Sequence, residues 1–260
     1  MHPRLAFPVL ICALVAATAP ALAQEETTWA EIRSNVVGDR PVEDGEGLVT
    51  LIAPKRAEDA AIVPIEIKLA APSGDPRRVA KVTVVVDENP APVAGTFSFG
   101  EPRQSASVSL RVRVDSYTYL RAIAETDDGR QYMTKAYVKA AGGCSAPASK
   151  DPAEALANLG QMRFRAFPER GEAQVQIRHP NYSGLQMDQI TRLYTPAWFI
   201  EDVTVTQGST QVFSMTGGIS ISEDPTFRFS FEPNGEPVVV EAKDTQGRVF
   251  RQTFPAQDAS

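Results

Sequence analysis

The chain has 260 residues, with 20 prolines, 17 glycines and 8% aromatic residues, a globular composition long enough for one or two domains. Its formal net charge is −6. An acidic balance argues against nucleic-acid binding, which needs a basic footprint, and leaves protein partners and small anions open.

Residues 1–23 read as a cleavable secretory signal peptide. Arg4 gives a short positive start, the stretch from Leu5 to Thr18 is nearly all apolar, and Ala21-Leu22-Ala23 fits a small-x-small cleavage pattern. The cut is expected after Ala23, with Gln24 as the first mature residue. The apolar run is too short to span a membrane with room to spare, and no later segment is long and apolar enough to be a transmembrane helix. The absence of a twin arginine favours the general export route. The expected localisation is therefore a bacterial periplasm, without membrane insertion.

A helix is predicted over 25–37, where Trp29, Ile32, Val36 and Val37 share one face and Gly38 supplies the stop. Strands follow. The run 48–52 is short and apolar, 62–69 alternates with period two, and 79–86 is rich in β-branched residues. Phe97-Ser98-Phe99 reads as a short strand. The stretch 107–114 alternates again, with Val108, Leu110, Val112 and Val114 set against Ser109, Arg111 and Arg113. Strands over 117–125 and 131–138 flank Asp127-Asp128-Gly129-Arg130, a hairpin turn signal.

The pattern then breaks. Residues 142–150 show no periodicity, and 151–160 fit a short helix with Pro152 at its first position. A second strand series starts at Met162. It continues through Phe164, Phe167, Val175 and Ile177, a loop at 179–184, and strands near 199–206, 211–215, 226–231, 237–242 and 248–254. In Phe227-Arg228-Phe229-Ser230-Phe231 the aromatics alternate with polar residues, so one face is buried. Many short strands at regular spacing indicate an all-β fold of two sandwich domains with a short N-terminal helix. The expected organisation is a signal peptide at 1–23, a first sandwich at 24–141, an arm and linker at 142–160, and a second sandwich at 161–260. The two sandwiches are expected to pack through a largely apolar interface.

Two cysteines are present, Cys12 in the leader and Cys144 in Gly142-Gly143-Cys144-Ser145-Ala146-Pro147. After leader removal Cys144 has no intramolecular disulfide partner. In an oxidising compartment a lone cysteine suggests pairing with another molecule or a thiol kept for its reactivity, set against a neutral leftover residue. The glycine pair and the small residues around it suggest a flexible arm, formed by Gly142, Gly143 and Ser145, with Cys144 reachable by solvent. Gly142 and Gly143 act as its hinge, tolerant of proline. A thiolate there could attack a sulfane sulfur or a disulfide, and a persulfide is a reversible cap.

Other chemistry is not encoded in familiar form. One histidine, His179, and one cysteine in the mature chain cannot build a four-ligand zinc site, so no metal is expected. No nucleophile elbow, phosphate loop or dinucleotide fingerprint occurs, so no catalytic residue is assigned. Met187 and Met215 read as packing residues. His179 reads as a structural or interface residue rather than a base for Cys144.

These residues resemble a family. The Trp29 helix, Ala60-Ala61-Ile62-Val63-Pro64-Ile65 and Gly142-Gly143-Cys144 after the last strand resemble SoxY. His179-Pro180 with Ser183-Gly184, Ile200, Asp224-Pro225-Thr226-Phe227 and Asp244-Thr245-Gln246-Gly247 resemble SoxZ. The fused order is similar to SoxYZ-like carriers associated with quinoprotein dehydrogenases. The resemblance implies two immunoglobulin-like β-sandwiches. It implies a non-enzymatic carrier in which Cys144 holds a covalent sulfur adduct, with no other cofactor, while partner enzymes act on it. Those partners would be periplasmic Sox-type enzymes of thiosulfate oxidation or a quinoprotein (PQQ) dehydrogenase system. Two alternatives stand beside it: a non-catalytic accessory or binding protein of a PQQ-dependent dehydrogenase, and a structural protein joined through an intermolecular disulfide. Separate SoxY chains end on the Gly-Gly-Cys tail. Here Cys144 is internal and tied at both ends, with Ser145-Ala146 where the usual tail has a second glycine pair.

Overall fold

The computed structural model describes residues 22–147, 152–188 and 191–256. Residues 1–21 of the expected leader lie outside them. After helix α1 (Leu22–Val37), eight strands form the first half: β1 (Val42–Asp44), β2 (Val49–Ile52), β3 (Val63–Ala70), β4 (Val79–Val86), β5 (Val93–Arg103), β6 (Ser105–Val112), β7 (Thr118–Thr126) and β8 (Gln131–Val138). Helix α2 (Pro152–Ala157) leads to the second half: β9 (Met162–Phe167), β10 (Glu172–Ile177), β11 (Ile200–Gln207), β12 (Thr210–Gly217), β13 (Thr226–Ser230), β14 (Val238–Asp244) and β15 (Val249–Phe254). The fold is all-β, an immunoglobulin-like sandwich architecture with an N-terminal helix.

The strands make two sheets that both run through both halves. One has nine strands in the order β1-β8-β7-β4-β5-β12-β11-β14-β15, and the other six in the order β2-β3-β6-β13-β10-β9. The halves therefore join edge to edge. In the larger sheet β12 pairs antiparallel with β5 from Ser214↔Ser98 to Gly217↔Gly95. In the smaller sheet β13 pairs antiparallel with β6 at Arg228↔Ser109 and Phe229↔Val108. Such pairing hides strand edges that would otherwise be open to association.

The seam is apolar between the layers, and backbone pairing adds to the expected apolar contact. Phe97 of β5 lies 6.3 Å from Phe213 and 6.0 Å from Phe227, ring centre to ring centre, and Phe213 stacks on Phe229 at 4.2 Å. One continuous core holds residues from Leu48 through Ala242. The alternation 227–231 thus buries its aromatics against the partner half as well as its own. The Phe97–Phe99 strand is far longer than its sequence suggested, because the residues before it, 93–96, are held in ladders to β4 and β12 rather than by their own composition.

Helix α1 covers the outer face of the larger sheet. Trp29 and Val37 pack on Val85 and Ile123, which explains why Val84-Val85-Val86 is apolar at both parities. Beneath the helix, Arg121 makes a fully buried ion pair with Asp87 at 2.7 Å, and its guanidinium lies 4.4 Å from the Trp29 ring.

Because Phe213 touches rings of both halves, Phe213→Ala should cost about 3–5 kcal/mol and destabilise the whole molecule. Denaturant unfolding, followed by fluorescence of Trp29 in one single-tryptophan variant and Trp198 in the other, checks this. Coincident curves are expected, shifted together by the substitution. Separate midpoints would show that the halves unfold independently.

Candidate functional site

Cys144 follows β8, where the chain returns beneath the end of β6. Its residue is 0% exposed, and it is free of any disulfide. This corrects the expectation of a solvent-reachable thiol on an open arm. The correction has a physical cause in the backbone. Gly142 N–H donates to the Asp115 carbonyl at 2.8 Å, and Gly143 N–H to the Val114 carbonyl at 3.0 Å. The Ser183 hydroxyl donates to the Cys144 carbonyl at 2.5 Å, and the Gln186 amide donates to the Ala146 carbonyl at 3.0 Å. Residues 142–146 are thus a strap, fastened on one side by the first half and on the other by the second.

The glycines serve this docked geometry and not a hinge. Gly142 has φ +79°, in the left-handed region. A Cβ on Gly143 would lie 2.1 Å from the Ala60 carbonyl oxygen and 2.7 Å from that of Val114. Proline at either position would remove a used N–H, and at Gly142 its fixed φ is incompatible with the turn. The expected tolerance to proline is therefore corrected as well. The Ser145 hydroxyl bonds back to the Gly142 carbonyl at 3.3 Å within the turn.

The sulfur's surroundings are polar rather than part of the main apolar core. Arg113 is 2% exposed, although it alternates with the apolar residues of the stretch 107–114. The strap and the 219–222 loop cover it. Its Nη1 donates to the Ile221 carbonyl at 2.5 Å and the Ile219 carbonyl at 3.2 Å, while its Nε is buried without a partner. Burial pulls the Arg113 guanidinium below its ordinary range, opposed by charge on Cys144 and Glu223. Burial pushes the Cys144 thiol up to about 11; the Asp115 carboxylate adds to this and Arg113 opposes it. The thiol is therefore neutral at physiological pH, and a neutral thiol is a poor nucleophile.

Asn89 ties the supports together. Its side-chain N–H donates to the Arg113 carbonyl and to Ser220 Oγ, each at 2.8 Å, and its Oδ1 accepts from the Asp115 N–H at 2.8 Å. Asn89, Arg113, Asp115 and Gln186 escaped sequence reasoning. Each is a single polar residue in a loop or strand, and only the tertiary fold brings them to the strap.

The loop that fastens the strap is itself fixed by three sequence motifs of the second half. His179 is 1% exposed. Its Nδ1 accepts from the Asn181 N–H at 3.0 Å, which places the proton of the neutral ring on Nε2, 3.7 Å from Asp244 Oδ2. Asp244 Oδ2 also accepts from Trp198 Nε1 at 2.7 Å, and Oδ1 from the Gln246 and Arg248 amides at 2.9 Å each. Asp224 pairs with Arg178 and accepts from the His179 N–H at 3.2 Å. The His179-Pro180, Asp224-Pro225 and Asp244–Gly247 motifs thus converge on one cluster at the root of the loop bearing Ser183 and Gln186. His179 is a structural residue of that cluster. Among the described residues no group of three or more His, Cys, Asp or Glu is placed to hold a metal ion.

Burial drives the His179 ring down to about 4, opposed by Asp244. A folded-state value below the unfolded 6.5 means stability fully present above pH 6.5 and lost as pH falls toward 4, by about 3 kcal/mol in all. Urea unfolding at steps between pH 7 and 4 should show this loss in the native chain, and His179→Gln should remove that part of the slope. A flat native profile over the same window would contradict a buried neutral imidazole.

Comparison with known proteins follows the same division of the chain. The model for the sulfur oxidation protein SoxY matches residues 33–144, and that for the sulphur oxidation protein SoxZ matches residues 164–255. The SoxY match ends on Cys144 itself. Among solved structures, the sulfur carrier protein SoxY from Chlorobium limicola f thiosulfatophilum is 22% identical. The alignment covers 44% of this chain and 96% of that one, with a TM-score of 0.37. A β-glucuronidase of glycoside hydrolase family 2 is 14% identical, with 84% of this chain and 20% of that one covered and a TM-score of 0.25. The secreted serine protease VesC from Vibrio cholerae is 10% identical, with 84% and 52% covered and a TM-score of 0.26. No curated protein matches the chain. A SoxY domain and a SoxZ domain follow one another in one polypeptide, and the chain is a fused SoxY-like and SoxZ-like protein.

Proposed function

We propose that this protein is a covalent sulfur carrier of a sulfur-oxidation system, with Cys144 as the attachment point and Sox-type enzymes as partners. The observation that carries the reading is the position of the thiol: the SoxY match runs to Cys144 and stops there, directly after the glycine pair. The leader sequence supports export to the periplasm. There the burial of Cys144 acquires a purpose, since a neutral, covered thiol resists uncontrolled oxidation and mixed-disulfide formation.

Loading requires the strap to open. Releasing the four hydrogen bonds that dock it costs about 2–6 kcal/mol at roughly 0.5–1.5 kcal/mol each, a local opening within the range of native fluctuations. Once exposed, the thiol reverts toward an ordinary acidity and loses its proton to solvent. The thiolate then attacks the outer sulfur of a polysulfide. One S–S bond forms, one breaks, and the shortened polysulfide leaves with the electron pair. The product is a Cys144 persulfide.

Intact mass of protein purified without reductant, before and after reduction, tests the reading. A reducible adduct of one or more sulfur atoms mapping to Cys144 is expected, absent from Cys144→Ser. A thiol that is unmodified as purified and stays inert to polysulfide and thiosulfonate reagents, even with the strap opened by mild denaturant, would overturn it.

A further inference from the structure

We propose that Ser183 and Gln186 of the second half lock the strap shut around a bare Cys144 thiol, and that an adduct on the sulfur forces the strap open. The proposal rests on the carrier reading for the identity of the natural adduct, and on geometry for the lock itself.

The lock is a small unit. The Ser183 hydroxyl holds the Cys144 carbonyl, and the Gln186 amide holds that of Ala146. The two side chains are also joined to each other, because the Ser183 N–H donates to Gln186 Oε1 at 3.2 Å. The Leu185 N–H donates to Ser183 Oγ at 3.2 Å, which fixes the hydroxyl toward the strap. On the opposite side Gly143 is packed so closely on the Ala60 and Val114 carbonyls that not even a methyl group fits. The strap therefore cannot shift inward to make room.

An adduct on the sulfur would have to displace what covers it. Cys144 is 0% exposed. A further sulfur would stand about 2 Å beyond Sγ in an interior packed at crystal-like density. Charge acts in the same direction. A persulfide ionises more readily than a thiol, and a thiosulfonate is anionic at any working pH. The Asp115 carboxylate acts on the sulfur with the sign that disfavours an anion. Arg113 opposes it, with its Nη1 engaged by two carbonyls and its Nε buried without a partner. The route outward is open: a cleft beside the strap is lined by Ala146 and Pro147, with Arg111, Gln186 and Glu223 around them. Loading would then present the sulfur to a partner enzyme, and unloading would let the strap close again over the free thiol.

Two measurements test the lock. The first is the rate at which Cys144 reacts with dithiodipyridine, mapped by peptide mass, in the native chain and in Ser183→Ala/Gln186→Ala. The native rate should lie far below that of the urea-unfolded chain. The variant should react at least about tenfold faster with an unchanged circular dichroism spectrum. Equal rates in the folded native chain and the folded variant would overturn the role of the two residues.

The second measurement needs no variant, and so stands even if the double substitution fails to fold. Prolonged treatment with methyl methanethiosulfonate caps the native thiol. The Cys144 thiolate displaces methanesulfinate, one S–S bond forms to the methylthio group, and the thiol proton goes to solvent. Hydrogen exchange over 139–147 is then compared in the bare and capped proteins. Faster exchange of the Gly142 and Gly143 amides after capping is expected. Equal protection, with the cap accommodated beside Arg113, would overturn the adduct-driven opening. Because the cap is synthetic, this result is independent of whether polysulfide loads Cys144. A chain that opens on capping yet never takes up sulfur would retain the lock and lose the carrier reading.

Discussion

The hydrogen bond from the Ser183 hydroxyl to the Cys144 carbonyl is the contact on which the organisation of the site depends. Burying a cysteine in an irregular segment also buries its backbone, and every such carbonyl needs a donor. The first half supplies acceptors for the Gly142 and Gly143 amides, but the donors for the Cys144 and Ala146 carbonyls come from the second. Neither half closes the strap alone. The second half thereby has a physical role at a thiol that belongs, by sequence, to the first.

That dependence explains why so much of the second half is built around the root of one loop. Trp198, Asp244 and His179 form a buried cluster in which the carboxylate accepts from the indole and from two hairpin amides. Burial opposes ionisation of Asp244, yet these donors hold its carboxyl below the ordinary range. The loop 179–186 is pinned to this cluster at one end and to the strap at the other. The edge-to-edge seam keeps the ends in register, because β5–β12 and β6–β13 pairing makes each sheet continuous. Fusing the halves in one chain also makes the clasp intramolecular, which raises its effective concentration relative to two separate chains.

Much of this was legible in the sequence, and the exceptions have a common cause. Strand positions followed from period-two alternation where one face meets the shared core, as at 62–69, and from β-branched content or a flanking turn elsewhere; 79–86 and 131–138 match β4 and β8 end for end. The turn at Asp127–Arg130 followed from its residue types. The Gly142-Gly143-Cys144 segment was located, but its state was misread. Small residues without periodicity look the same whether they are loose or closely docked. What distinguishes the two is the φ of Gly142 and the carbonyls beside Gly143, and both depend on contacts far along the chain. The burial of Arg113 is hidden from the sequence for the same reason. Alternation gives the face of a strand, not whether a loop from the other half covers that face.

The central claim is that the resting protein holds Cys144 covered and neutral, and that the thiol reacts only through opening of the strap. The rate of alkylation by iodoacetamide as a function of pH measures this directly. The folded-state value, about 11, lies above the thiol's ordinary 9.0, so docking favours the protonated thiol and this contribution is lost as pH rises through that interval. The account predicts a slow reaction at neutral pH whose rate keeps climbing by about tenfold per pH unit through pH 9 without levelling. A fast reaction that levels near pH 9, at the rate of the unfolded chain, would contradict it.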